Sequence, residues 1–338
     1  MITKENKVSQ DQWAILALTR FVLSMLVVIG HISVLVHPYP YLFGVGYLHA
    51  GSAVFGFFII SGFSIAASLD SNRPGFYKRR FVRIWPLYAT AIAVGLFVEY
   101  HFLGNQKFTW PETHVDFAAP MPIDIWATVL MLQNVIGLPL LTIGPIWSLA
   151  PEWWHYMVAP IFKRMGTPFL LGWAAISFVA FFAIRPPQGH GAEMLYNGTG
   201  ILALSWFWMA GFIYYRFRNT TPGLALLLAP AALAMPAGLF VGAPFVFTAL
   251  ILAFSAPMNI GERAKRAFNF LGDVSYPLYL LHMPVLVVAT VMGSRHASIM
   301  VSGAIALSVA SLYLIDYPAR KIFSGKRSDA ASSTASTA

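Results

Sequence analysis

An arginine and a histidine eleven residues apart, Arg20 and His31, lie inside an apolar run of membrane-spanning length, Trp13 to Val36, WAILALTRFVLSMLVVIGHISVLV. At about 100° per residue this spacing returns His31 to within roughly 20° of Arg20, on one helix face and about 16 Å further along the axis. A guanidinium at depth costs about 2.5 to 3.5 kcal/mol even on a lenient insertion scale. Both side chains are therefore expected to face a water-lined or substrate-lined interior, the imidazole suited to proton transfer and the guanidinium to an anion. The competing arrangement, with Arg20 snorkelling to the nearer interface and His31 a satisfied core histidine, leaves the shared face unexplained.

Three further stretches carry chemistry. RPGFYKRRFVRIWPLY brings Arg79, Arg80 and Arg83 to the start of an apolar run, with Arg80 and Arg83 one turn apart, a grip for a phosphate or pyrophosphate or else a topology anchor. WSLAPEWWHYMVAP supplies Glu152 and, one turn on, His155. A carboxylate beside an imidazole holds its tautomer and steadies the imidazolium, so Glu152 is the expected partner of His31, with Arg20 or His155 as structural alternatives. LGDVSYPLYLLHMPVL places Asp273, Ser275, Tyr276, Tyr279 and His282 in or beside a membrane helix, where Pro277 and Pro284 are expected to bend it. In FGFFIISGFSIAASL, Ser61 and Gly62 permit close helix approach. Ser61, Tyr276, Tyr279 and His282 are the expected substrate-binding or supporting groups. Asp316, with Pro318 and Arg320, is expected to pair with a basic loop.

The elements that must position these groups follow from composition. Hydrophobic residues make up 58% and charged residues 10% of the chain, against about 25% charged in soluble domains. An all-α, polytopic membrane helix bundle is expected, with spans at 13–36, 47–69, 82–101, 147–164, 168–184, 197–216, 222–240, 243–258, 271–292 and 297–316, ten in all. The first run is too long for a cleaved signal peptide. The net charge of +9 sits in short clusters between apolar runs, as topology determinants do, and carries no nucleic-acid signal. With no cysteine, disulfides and protein thioesters are excluded, and the histidines lack metal-ligand spacing, so no metal is expected. The segment Ile123 to Leu138 is marginal for a crossing. If it does not cross, 18 of the 22 Lys and Arg residues lie inside, three outside (Lys107, Arg185, Arg295) and Arg20 within the membrane; if it crosses, the split is nine inside against twelve outside. The first arrangement satisfies the charge rule. It makes 123–138 re-entrant or interfacial, puts both termini in the cytoplasm and sets Glu152 at the depth of His31. Residues 1–12 then form a cytoplasmic N-terminal segment, 13–320 the membrane domain, and 321–338 a polar, disordered cytoplasmic tail.

Taken together the residues resemble acyltransferase family 3, the integral membrane O-acyltransferases. The resemblance rests on Arg-x10-His (Arg20, His31), FFxISGF (Phe57 to Phe63), RRxxRIxPxY (Arg79 to Tyr88), WSLxxE…Y (Trp147 to Tyr156), SYxLYLLHxP (Ser275 to Pro284) and the closing DYPAR (Asp316 to Arg320), in order over residues 13–320. Where the family often has paired glutamates this chain has Glu152 and Trp153, and its closing acid is aspartate. Longer relatives append an extracellular hydrolase-like domain with no counterpart here, so acyl handling is expected within the span bundle or in another protein. The resemblance implies a ten-helix protein of the bacterial inner membrane. It would move an acyl group, most often acetyl, from cytosolic acetyl-CoA or another acyl-CoA to a hydroxyl of a sugar or lipid-linked glycan of the cell envelope. His31, Glu152 and Arg20 are the implied catalytic set and Arg79, Arg80 and Arg83 the donor-binding set. The alternative from another class is a proton-coupled glycan transporter or exporter with His31, Glu152 and His282 as its relay.

Overall fold

The computed structural model describes residues 8–35, 50–104, 108–109, 116–117, 119–133, 135–184, 198–218, 220–234 and 239–324. Lys107, Arg185, most of the N-terminal segment and the tail beyond residue 324 lie outside the described residues. The chain is a helix bundle: α1 (Gln10–Leu35), α2 (Ala50–Asp70), α3 (Phe76–Val98), α4 (Pro122–Val129), α5 (Leu149–Arg164), α6 (Thr167–Ile184), α7 (Thr199–Ala203), α8 (Ser205–Phe217), α9 (Thr221–Ala234), α10 (Leu239–Phe254), α11 (Glu262–Val291), α12 (Ala297–Ser311) and α13 (Tyr317–Ser324). Phe108–Thr109 and Asp116–Phe117 form a short antiparallel pair between α3 and α4.

Five helical runs are long and apolar enough to cross a membrane: Gln10–Ser33, Gly51–Asp70, Phe76–Leu103, Glu262–Val291 and Ala297–Phe323. They coincide with the first three and last two expected spans. The five spans expected between them appear as shorter helices, from 13 residues in α8 to 18 in α6. At 1.5 Å per residue even α6 falls just short of the ~30 Å hydrocarbon layer. Two of them gain length from neighbouring helical turns: the 3₁₀ stretch Leu141–Ser148 leads directly into α5, and α7 precedes α8 across a one-residue break at Leu204. The segment 123–138 contains only α4, eight residues long, followed by a turn at Met131 with φ 57°. Asp124 fastens both ends of this hook, its carboxylate accepting from the Met121 N–H at 3.0 Å and the Leu138 N–H at 2.7 Å.

Because lipid is as apolar as leucine, helices in a bilayer associate through close backbone approach and polar contacts rather than through hydrophobic burial. The contacts here are of that kind. A Cβ on Gly62 would sit 1.9 Å from the Trp208 carbonyl, and one on Gly211 1.9 Å from that of Ile59, so α2 and α8 touch backbone to backbone. The expected close approach at Gly62 is thus present. Between α1 and α11 a Cβ on Gly272 would lie 2.4 Å from that of Ala17, and the Ser24 hydroxyl donates to the Ser275 carbonyl at 2.9 Å. α2 is central, with 67% of its apolar window buried, while Ala297–Phe323, at 28%, forms the periphery. α11 continues unbroken through Pro277 and Pro284. Ser9 opens α1 by accepting the Gln12 N–H on its hydroxyl. The Lys163 ammonium closes α2, donating at 2.7 Å to the Leu69 carbonyl and at 2.7 Å to Asn72 Oδ1.

Candidate active site

One cavity of about 680 Å³ opens among α1, α2, α3, α5 and α11, within the size range of small-molecule sites. Five arginines line it, Arg20, Arg73, Arg79, Arg80 and Arg83, against two carboxylates, Asp70 and Glu152. α2 presents Phe57, Ser61, Ser64 and Ser68 to it, and Ser71 continues the stripe in the turn just past the helix end, repeating at three- and four-residue steps as one helix face requires. Two of these serines hold arginines. Arg20 Nη2 donates to Ser64 Oγ at 2.7 Å while that hydroxyl donates to the Ile60 carbonyl, so its lone pairs are turned to the guanidinium. Arg80 Nη2 donates to Ser68 Oγ at 3.0 Å, and its Nε is buried without a hydrogen-bond partner. Arg79 donates to the carbonyls of Arg73 and Pro74 in the loop before α3. Among the described residues Arg83 makes no protein hydrogen bond, and its side chain faces the same space.

From α5, Glu152 accepts a short hydrogen bond from the Tyr156 hydroxyl, whose oxygen also lies 3.0 Å from Ser61 Oγ. Glu152 is within electrostatic reach of both Arg20 and Arg80. Arg80 also packs near the Phe76 and Tyr156 rings. Tyr276 and Tyr279 line the cavity from α11, but their hydroxyls are engaged by the protein: Tyr276 donates to the Ile84 carbonyl at 3.1 Å, and Tyr279 lies 2.7 Å from both the Pro145 carbonyl and Ser148 Oγ. They brace α3 and the 3₁₀ stretch against α11.

Beyond Tyr279 the arrangement departs from expectation. His31 does not meet Glu152 in a hydrogen bond; its ring partner is His282, with His31 Nδ1 and His282 Nε2 3.2 Å apart. Neither histidine lines the cavity, so the face expected to bring both Arg20 and His31 to one interior enters it at Arg20 only; the link to the pair is Tyr279, whose ring centroid lies 6.4 Å from that of His282. Glu152 shares a cavity with Arg20 and Arg80 rather than standing at His31 as the matched depths required; run length carries no information on azimuth, and α11 rather than α5 stands beside this face of α1. His155, the alternative imidazole, is outside the cavity: it stacks on Trp208 and its two nitrogens engage the Pro151 carbonyl and Ser205 Oγ. Asp316 pairs within its own helical run, with Arg320 at 2.5 Å, and Arg320 also reaches Asp273 at 3.1 Å, tying α11 to α13 rather than to a basic loop.

Three features went unread in the sequence. The serine stripe of α2 was visible as Ser61, Ser64 and Ser68 at helical spacing inside an apolar run, with Ser71 in register just beyond it. Tyr156 stood in a quoted motif without a role. Glu99 is an acid in the expected span 82–101, and it is only 3% exposed, in the π-helical turn Glu99–Leu103 that ends α3. The sole available signal for Glu99 was a charge amid apolar residues.

The family model described as an acyltransferase domain, that of acyltransferase family 3, matches residues 13–318. The chain belongs to acyltransferase family 3. No curated protein and no solved structure matches it. Membership, with the long apolar helices, makes this acyltransferase family 3 protein an integral membrane acyltransferase, and the match takes in the helices that wall the cavity and carry the histidine pair.

Proposed function

We propose that this membrane acyltransferase transfers an acetyl group, or another short acyl group, from acyl-CoA on the cytoplasmic side to a hydroxyl of an exported or cell-envelope glycan. One observation carries the reading: four arginines from α1 and α3 converge on one cavity, and a histidine pair stands behind Tyr279 of its wall. Phosphate groups are the natural guests of clustered guanidinium groups, and the orphaned Nε of Arg80 is a buried donor that such a guest satisfies. Arg79, Arg80 and Arg83 would bind the phosphates, and Arg20 would guide the thioester arm inward. Glu152, held by Tyr156, would balance charge between Arg20 and Arg80 rather than orient His31.

In the reaction, His31 acts as general base. The acceptor O–H gives its proton to His31 as the oxygen attacks the thioester carbonyl carbon. When the C–S bond breaks, the sulfur leaves with the electron pair and takes the proton back, giving ester and free thiol. Direction across the membrane follows from the charge rule, which places Arg73 to Arg83 and both termini in the cytoplasm. We read the five shorter helices as the remaining crossings of a ten-span bundle, supported for α5 and α8 by the helical turns that precede them, and the α4 hook as interfacial or re-entrant on the outer side. A transport function would need no phosphate grip at one mouth, and family membership favours transfer.

The test is release of free CoA by purified protein supplied with acetyl-CoA and envelope glycan. His31→Ala should lower turnover by about 10²- to 10⁴-fold, the worth of a positioned base, while the protein still inserts and purifies. Turnover near that of the unaltered protein would overturn the assignment.

A further inference from the structure

The contact between His31 and His282 has a direction, and the backbone fixes it. Each Nδ1 lies 2.9 Å from a carbonyl oxygen one turn earlier, that of Val27 for His31 and that of Leu278 for His282. A carbonyl only accepts, so both Nδ1 atoms carry a proton, and in the neutral pair each Nε2 is an open lone pair. His282 Nε2 stands 3.2 Å from His31 Nδ1. The His31 Nδ1–H is therefore shared between the Val27 oxygen and the His282 lone pair, a three-centre bond. His282 is fully buried. The Ala17–Gly272 contact and the Ser24–Ser275 bond hold α1 and α11 in the register that sets the spacing. Among the described residues no third histidine or carboxylate converges on the pair as a metal site would need.

We propose that His282 is the positioning residue of His31: an uncharged acceptor that keeps the proton on His31 Nδ1, aims His31 Nε2 as the base, and shares the positive charge formed during transfer. The proposal rests on His31 being the base. When the acceptor's proton arrives on His31 Nε2, the imidazolium donates more strongly through Nδ1–H to His282 Nε2, and the charge relaxes when Nε2 returns that proton to the departing sulfur. A carboxylate in this place would itself need a counter-charge at depth, whereas a neutral imidazole needs none.

The experiment compares His282→Leu and His282→Gln, purified and supplied with acetyl-CoA and acceptor, with His31→Gln as reference. The amide oxygen of glutamine reaches the position of Nε2 and accepts; leucine does not. The leucine variant should lose about 10- to 100-fold in kcat, part of what the base supplies, with the KM for acetyl-CoA little changed. The glutamine variant should recover most of the loss. Nitrogen-15 spectra of histidine-labelled protein, assigned by difference from His31→Gln, should show His31 protonated at Nδ1 and bare at Nε2. That Nδ1 signal should move in the leucine variant and return in the glutamine variant. Equal turnover in the leucine and unaltered proteins, a glutamine variant no better than leucine, or a His31 protonated at Nε2 would each overturn the proposal. Should the leucine variant not fold, the glutamine variant and the spectrum of the unaltered protein decide. If His31→Gln stays active the base assignment fails on its own, and the spectra still report whether the pair exists.

Discussion

At the scale of single residues, the cavity separates groups that hold a ligand from groups that hold the protein. Arg80 and Arg83 belong to the first kind. Each charge-assisted contact to phosphate is worth about 1.5 to 3 kcal/mol, so Arg80→Gln and Arg83→Gln should each raise the acetyl-CoA KM by roughly 10- to 100-fold with kcat at saturation less affected; unchanged donor dependence in the double variant would reduce the cluster to a topology anchor. Tyr156 belongs to both kinds, since its hydroxyl bridges Glu152 and Ser61. Tyr156→Phe removes the donor to a carboxylate in the cavity wall and should lower stability by about 1 to 3 kcal/mol, read as a fall in melting temperature, with a weaker donor KM as Glu152 loses its fixed position. That Arg79, Arg80 and Arg83 cluster and that Arg20 faces an interior was legible, because spacing along one helix fixes a face; that Glu152 joins them was not, since run length set it at the depth of His31. The His31 partner was not legible, since neither quantity says which helix stands next to α1. The same gap hid Glu99, whose π-helical turn leaves no mark in residue types.

At the scale of elements, α2 does two jobs with opposite faces: serines toward the arginines, and Gly62 against the backbone of α8. A side chain at Gly62 would meet the Trp208 carbonyl, which cannot rotate away. Gly62→Leu should therefore cost more than the ~1 to 3 kcal/mol of ordinary overpacking, seen as loss of monodisperse protein or a melting temperature lowered by many degrees. Gly51→Leu, where added atoms meet nothing within 4 Å, is the matched control. The outer five apolar runs translated directly into long helices because each is continuous in composition. The inner five did not, because hydropathy counts residues while crossing requires length. Leu141–Ser148 shows the difference, since a 3₁₀ stretch rises about 2.0 Å per residue and gains reach without more residues.

At the scale of the whole molecule, the orientation and the site depend on each other, and a cysteine-free chain makes that dependence measurable. Arg164→Cys, at an exposed position on the cytoplasmic side of the proposed arrangement, leaves intact the neighbouring Lys163 ammonium that closes α2. The thiol should resist an impermeant reagent applied outside intact cells and react after permeabilisation; ready labelling from outside would invert the bundle and detach the arginine mouth from cytosolic donor. Binding linkage gives a second global test: acetyl-CoA at about 100 times its Kd should stabilise the purified protein by about 2.7 kcal/mol, and the Arg80→Gln/Arg83→Gln double variant should lose the associated rise in melting temperature. The serine stripe of α2 has one more consequence. Hydroxyls and backbone carbonyls hold Arg20, Arg79 and Arg80 in place, and the lining's two carboxylates, Asp70 and Glu152, offset only part of the charge of its five arginines. The mouth therefore keeps an electric field that carboxylate clamps would have quenched. Such a funnel draws anions from beyond contact distance, and mobile ions collapse it, since the Debye length shortens from about 30 Å at 0.01 M to about 8 Å at 0.15 M. Capture of the donor should thus slow steeply with added salt while turnover of the bound complex does not, and small anions such as chloride should compete at the same mouth.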